Sequence, residues 1–333
     1  MILPDNLDNM GIGDSRGGLH IDLENPNVLA GSEITGLVHV VVKETTPAHS
    51  LELLLKGKEI TRWTSGSGKN KTHHYGNRKF LRWEMPLFVF SEGCLKPGHY
   101  NFPFAIYVPG SLPGSFSFAR NATAQIIYKL GARVIGEGAG IPKTTIPLII
   151  SQTTYAVDSP ANLQKTARMS TWCCLGQGEA NIKAETDKLT YVIGETAATV
   201  MTAVNQGSEL ACTGFRASLI RTIVMRDDLN RTRVDSSVVS TADLPHPIPA
   251  HHPTPVTQSL VLPITSDGYQ TNTVQGQLIQ CKYEIKCETL VDGCCMCCGD
   301  IPAVEKHVVI CPSSIPRMAP PPLPDEWKAL IRT

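Results

Sequence analysis

Apolar residues in this chain recur at every second position, in short stretches closed by glycine and proline. Leu19, Ile21 and Leu23 alternate with His20 and Asp22. Leu51, Leu53 and Leu55 share one parity, and so do Ala124, Ile126, Tyr128 and Leu130. A period of two sends neighbouring side chains to opposite faces of a strand. Such stretches return at roughly 8–12-residue spacing, the rhythm of a β-sandwich. No amphipathic helix is legible before residues 325–331. The 27 glycines and 24 prolines suit many short strands joined by turns. The expected fold class is all-β, with two tandem immunoglobulin-like β-sandwich domains.

A length of 333 residues favours two domains over one. Composition shifts divide the chain into a flexible N-terminal arm (1–18), a first sandwich (19–150), a polar linker around Pro160 (151–172), a second sandwich (173–313) and a proline-rich tail (314–333). Both halves follow one order. Gly31 and Glu33 precede the strand from Ile34 to Val42, as Gly194 and Glu195 precede that from Ala197 to Val204. Each half later carries a strand containing a tyrosine, Tyr128 or Tyr283. Between the strands, Ser65–Asn70 reads as a Ser/Gly/Lys loop and Asp243–Gln258 as a Pro/His loop.

Charge excludes one class of partner. Lys plus Arg equals Asp plus Glu, 30 of each, so nothing draws the whole molecule to nucleic acid. The N-terminus has neither the basic region nor the apolar core of a secretory signal, and no run reaches the ~18 apolar residues of a membrane span. This implies an intracellular protein, whose 11 cysteines are reduced thiols. There is no phosphate-binding loop of the Gly-Lys-Ser/Thr kind and no Gly-x-Ser-x-Gly elbow. No enzyme chemistry, cofactor, catalytic residue or metal ligand is therefore assigned.

Three features offer binding chemistry. Lys56, Lys58, Arg62, Lys69, Lys71, Arg78, Lys79 and Arg82 are eight cations against one acid, Glu59. Clustered cations attract phosphates or anionic lipid, but charge along a hairpin also serves only to block edge aggregation. Cys294, Cys295, Cys297 and Cys298 form a dense thiol cluster suited to lipid contact, acylation or, with ligands from elsewhere, zinc. A reduced cysteine-rich hairpin tip is the alternative. Pro321, Pro322, Leu323 and Pro324 favour polyproline II, the form read by WW and SH3 domains; a stiff tail packed on the body is the alternative.

Several stretches together carry a family resemblance. Residues 92–118 run from the turn Lys96-Pro97-Gly98 through Tyr100, Phe102 and Phe104 to Pro109-Gly110 and Pro113-Gly114. Proline withholds a ladder donor, so that strand belongs at an edge or between bends. The stretch resembles a signature of the arrestin-domain proteins, the alpha-arrestins in particular. Residues 31–36, residues 51–58 leading to Trp63-Thr64-Ser65, Leu262-Pro263-Ile264 and residues 280–285 resemble further family motifs in the family's order. The resemblance implies two sandwiches side by side and a non-catalytic adaptor in membrane-protein trafficking or signalling. It implies cytoplasmic tails of membrane proteins and trafficking machinery as partners, and a cytoplasmic location peripheral to the plasma membrane or endosomes. It puts Thr64–Arg78 in the place of the arrestin finger loop. The family's Pro-Pro-x-Tyr ligase-recruiting motif is missing here. Two alternatives stay open: a structural coat subunit resembling the arrestin-like component of retromer, and a zinc-binding or enzymatic protein using the cysteine cluster.

Overall fold

The computed structural model describes residues 17–25, 27–137, 143–152, 161–171, 175–266, 268–269, 271–291 and 301–312. The cysteine cluster at 294–298 and the proline run at 321–324 lie outside the described residues, as do the first sixteen positions.

The first sandwich holds eleven strands: β1 (Gly17–Leu23), β2 (Asn27–Leu29), β3 (Glu33–Val42), β4 (Thr46–Pro47), β5 (Ser50–Ser65), β6 (Thr72–Val89), β7 (Cys94–Leu95), β8 (Gly98–Tyr107), β9 (Phe116–Ala119), β10 (Ala122–Ile135) and β11 (Thr144–Ser151). A three-stranded sheet, β1-β3-β8, faces a six-stranded one, β2-β11-β10-β5-β6 with β9 also on β10; β4 and β7 pair separately. Inward positions of β5 and β10 are the ones the alternation marks, and Leu51, Leu53, Tyr128 and Leu130 are fully buried. Each such aliphatic side chain contributes about 1.5–3 kcal/mol of transfer free energy. β8 sits at a sheet edge, so Pro103 removes no ladder bond that the sheet needs.

The second sandwich holds β12 (Ala161–Thr171), β13 (Leu175–Thr186), β14 (Thr190–Val192), β15 (Thr196–Ser208), β16 (Cys212–Arg226), β17 (Thr232–Ile248), β18 (Val256–Pro263), β19 (Val274–Gln275), β20 (Ile279–Val291) and β21 (Ala303–Cys311). Its sheets run β12-β13-β15-β18 and β14-β21-β20-β16-β17, with β19 on β20. Setting β13 to β21 beside β1 to β11 reproduces the first sandwich strand for strand, with β12 as an added edge and no counterpart of the β4–β7 pair. Among the described residues the one parallel pairing in each half falls at the same place, β2 with β11 and β14 with β21. Gly31 at φ 89° and Gly194 at φ 102° turn the chain identically before β3 and β15. Their amides bond to equivalent carbonyls, Val108 and Ile264. The left-handed backbone explains the glycine at both sites.

Three expected boundaries move. Residues 161–171, expected within the linker, form β12 on the edge of the second sandwich. Its inward residues include Ala167 and Met169, too small or too isolated to stand out among polar neighbours. The loop expected from Thr64 to Arg78 is almost all strand. β5 and β6 form one long hairpin closed by a single 3-10 turn at Gly68–Asn70. The expected Pro/His loop at 243–258 is mostly strand as well, since β17 is an edge and tolerates Pro245 and Pro247.

Candidate functional site

The β5–β6 hairpin has two faces with different chemistry. Residues of β5 alternate inward and outward, and the far end of its inward side meets the second sandwich instead of the first core. Glu59 follows Leu51, Leu53 and Leu55 in parity and is buried with them. Its carboxylate accepts backbone N–H bonds from Gln277 at 2.9 Å, Leu278 at 2.6 Å and Ile279 at 3.1 Å. These three donors lie in the turn leading into β20. Gly276 keeps that turn close: a Cβ there would sit 2.7 Å from a Glu59 carboxylate oxygen.

Beside it, the turn after β16 docks on the hairpin. Thr61 Oγ1 donates to the Arg226 carbonyl at 2.6 Å. Tyr75 and Asn77, on the edge strand, bond to Asp228 through backbone O and N. Asp227 accepts from the Leu229 and Arg231 amides, from Arg231 Nε at 2.7 Å and from His74 Nδ1 at 3.1 Å. His74 stacks on Trp63 with ring centroids 4.9 Å apart, and its Nε2 lies 2.7 Å from Ser65 Oγ. Deeper in, the Arg221 guanidinium lies over the Phe118 ring at 5.2 Å, and Tyr269 packs edge-on against that same ring. The two sandwiches thus share one polar clasp, buried at Glu59, Thr61, His74 and Asp227 and open to solvent at Asp228 and Arg231.

Burial alone would push the Asp227 carboxyl up. The hydrogen bonds from His74, Arg231 and Leu229 outweigh it and bring the pKa down to about 2. An unfolded aspartate titrates near 3.8, so the folded state binds fewer protons between those values. The clasp's contribution is complete above about pH 4 and is lost as pH falls through about 2. Thermal melts taken from pH 5 downward should show a falling midpoint in that window. Asp227→Asn should remove part of the acid slope; an unchanged slope would refute the assignment.

The opposite face of the hairpin is solvent-facing and basic. Lys56, Lys58 and Arg62 of β5 share it with Lys79 and Arg82 of β6. The candidate cations therefore do not make one patch. Lys69 and Lys71 sit at the tip around the 3-10 turn, and Arg78 has the opposite parity. Arg78 lines a polar cleft of about 460 Å³ between the sandwiches, with Arg226, Asp228 and Asn230, and Lys79 borders the same cleft from the basic face. Glu59, the one acid counted among these cations, is not on the basic face at all. Lys129 of β10 and Lys143 just before β11 extend that face, and the sequence reading missed both because they lie far away in the chain.

Other titratable groups are structural in their surroundings. His20, His39 and His99 stand side by side on β1, β3 and β8, with centroids 6.0 and 5.7 Å apart. Burial, then the neighbouring His39 ring, lowers His20 and His99. Burial pushes the Cys287 thiol up to about 12, so it behaves as a small apolar group. Among the described residues no group of three metal-ligating side chains comes together, and no helix is long and apolar enough to cross a membrane.

Comparison with known proteins agrees with the two-fold architecture. The family model described as arrestin (or S-antigen), N-terminal domain, matches residues 19–135, and its C-terminal-domain counterpart matches residues 176–315. Arrestin domain-containing protein A of Dictyostelium discoideum is 26% identical over 209 residues, which are 58% of this chain and 35% of that protein. Arrestin domain-containing protein 17 of Caenorhabditis elegans is 25% identical over 213 residues, 56% of this chain and 47% of its own. Human arrestin domain-containing protein 5 is 22% identical over 278 residues, 77% of each chain. The matched part of this chain thus spans between a third and a half of the first two relatives.

Proposed function

The chain belongs to the arrestin-domain-containing proteins, and from that premise we propose that it is a non-catalytic adaptor for membrane-protein tails and trafficking machinery. The observation that carries this reading is the outer edge of β6. β6 ends the six-stranded sheet, and among the described residues no strand pairs with its far side from Lys79 to Leu87. An open edge accepts an extended peptide as an added strand, with main-chain bonds giving affinity. Lys79 and Arg82 on that strand favour acidic or phosphorylated tails and speed encounter. The clasp described above fixes this edge relative to the second sandwich, so one molecule can present two surfaces in a set relation.

The test has two steps. Proximity labelling in cells with the full chain should capture cytoplasmic tails of membrane proteins. Peptides from those tails should then slow amide exchange at residues 79–87. A captured set without membrane-protein tails, or peptides that protect another element instead, would overturn the reading.

A further inference from the structure

We propose that the solvent-facing side of the six-stranded sheet in the first sandwich is a docking face for anionic lipid membrane. Register places like charges opposite one another on three adjacent strands. Lys56 stands directly across from Arg82 on one side and from Lys129 on the other, and Lys58 faces Lys79. Lys143 lies close enough to depress the Lys56 ammonium, as Arg82 also does, after the larger effect of burial. Arg62 continues the face toward the hairpin tip.

Like charges directly opposite each other destabilise a sheet. Here the arrangement is repeated and only partly compensated, by Glu84 beside Arg82. Two carboxylates share the face, Glu52 and Glu84. Both are held by arginines: Arg133 bonds Glu52 at 2.8 Å and reaches Glu84 at 3.4 Å, and Arg82 also pairs with Glu84. Among the described residues no ion pair engages Lys56, Lys58, Lys79, Lys129 or Lys143. The remaining acid of this stretch, Glu59, is turned away beneath the second sandwich.

The shape of the field selects the partner. Neighbouring strands lie about 4.8 Å apart, so these cations spread over some 14 Å across four strands. An added peptide strand would touch β6 alone and leave Lys56, Lys129 and Lys143 without a partner. A planar sheet of anionic headgroups meets all of them together. Among the described residues the face carries a single large exposed aromatic, Tyr75, against which Arg62 rests at 5.8 Å. Contact is therefore peripheral and electrostatic, reversible and sensitive to salt. The inference deepens the adaptor reading by setting the molecule against the membrane whose tails it would engage, yet it fails or stands separately.

The full chain is mixed with phosphatidylcholine vesicles, with and without about 30 mol % phosphatidylserine, and sedimented at salt from about 0.05 to 0.5 M. Binding should require the anionic lipid and weaken as salt rises. The triple variant Lys56→Gln, Lys58→Gln, Lys129→Gln should bind about a hundredfold more weakly, with an unchanged circular dichroism spectrum. Absence of binding by the unaltered chain would overturn the proposal, whatever the variant's folding. So would equal binding by the triple variant, or a loss confined to an acidic phosphopeptide while vesicle binding persists. Tail capture and β6 exchange are read separately. A chain that captures tails but ignores vesicles sinks this inference and spares the adaptor.

Discussion

Glu59→Ala should destabilise the protein by about 2–4 kcal/mol, the scale expected when two buried backbone donors lose a charged acceptor. The alanine leaves two buried amide donors, at Leu278 and Ile279, and a part-buried one at Gln277, with no carboxylate acceptor. Each orphaned donor carries a desolvation penalty of about 1–3 kcal/mol, reduced where water reaches the gap. Glu59→Gln should lose less, since one amide oxygen still accepts while the NH₂ faces donors. Glu59→Met should not rescue the site, because the partners are backbone groups and no apolar isostere can replace them. The measurement is hydrogen exchange. The amides of 277–279 should exchange much faster in Glu59→Ala, while the β1–β3 ladder of the first sandwich stays protected. Unchanged protection at 277–279 would show that the carboxylate does not hold the turn.

The same residue shows what could be read in advance. Leu51, Leu53, Leu55, Glu59, Thr61 and Trp63 share one parity along β5. An acid in phase with a core stripe is an inward acid, and that much was legible. Its partners were not, because they lie more than two hundred residues away. The basic face failed in a related way. Eight cations close in sequence looked like one patch, but alternation sends Arg78 to the cleft, while Lys129 and Lys143 arrive from other strands. The duplicated sandwich was legible for a simpler reason. Gly31 and Gly194 must adopt a left-handed turn, and Tyr128 and Tyr283 fill equivalent core positions, so both signals are local. β12 escaped because its inward side offers only Leu163, Ala167 and Met169, with Lys165 between them.

Gly76→Val attacks the clasp by steric means and should cost about 1–3 kcal/mol, the usual penalty of overpacking. A Cβ at Gly76 would lie 2.5 Å from Thr61 Oγ1 and 2.8 Å from the Arg226 carbonyl oxygen. Those two atoms are already bonded to each other, and the second is backbone, so no rotamer change makes room. The hairpin must withdraw from the turn after β16. The bonds of Tyr75 and Asn77 to Asp228 go with it. Gly176→Val is the control, since nothing lies within 4 Å of a Cβ there. Its midpoint should hardly move. In Gly76→Val the Asn77 amide should lose protection, and scattering should report a larger radius of gyration as the sandwiches part. The decisive case is the double variant with Glu59→Ala. If the clasp is one unit, separation by either change already exposes the other's partners to water, and the joint cost falls well short of the sum. Additive costs would mean that the two contacts are independent, and that the sandwiches are held by the Arg221–Phe118–Tyr269 packing instead.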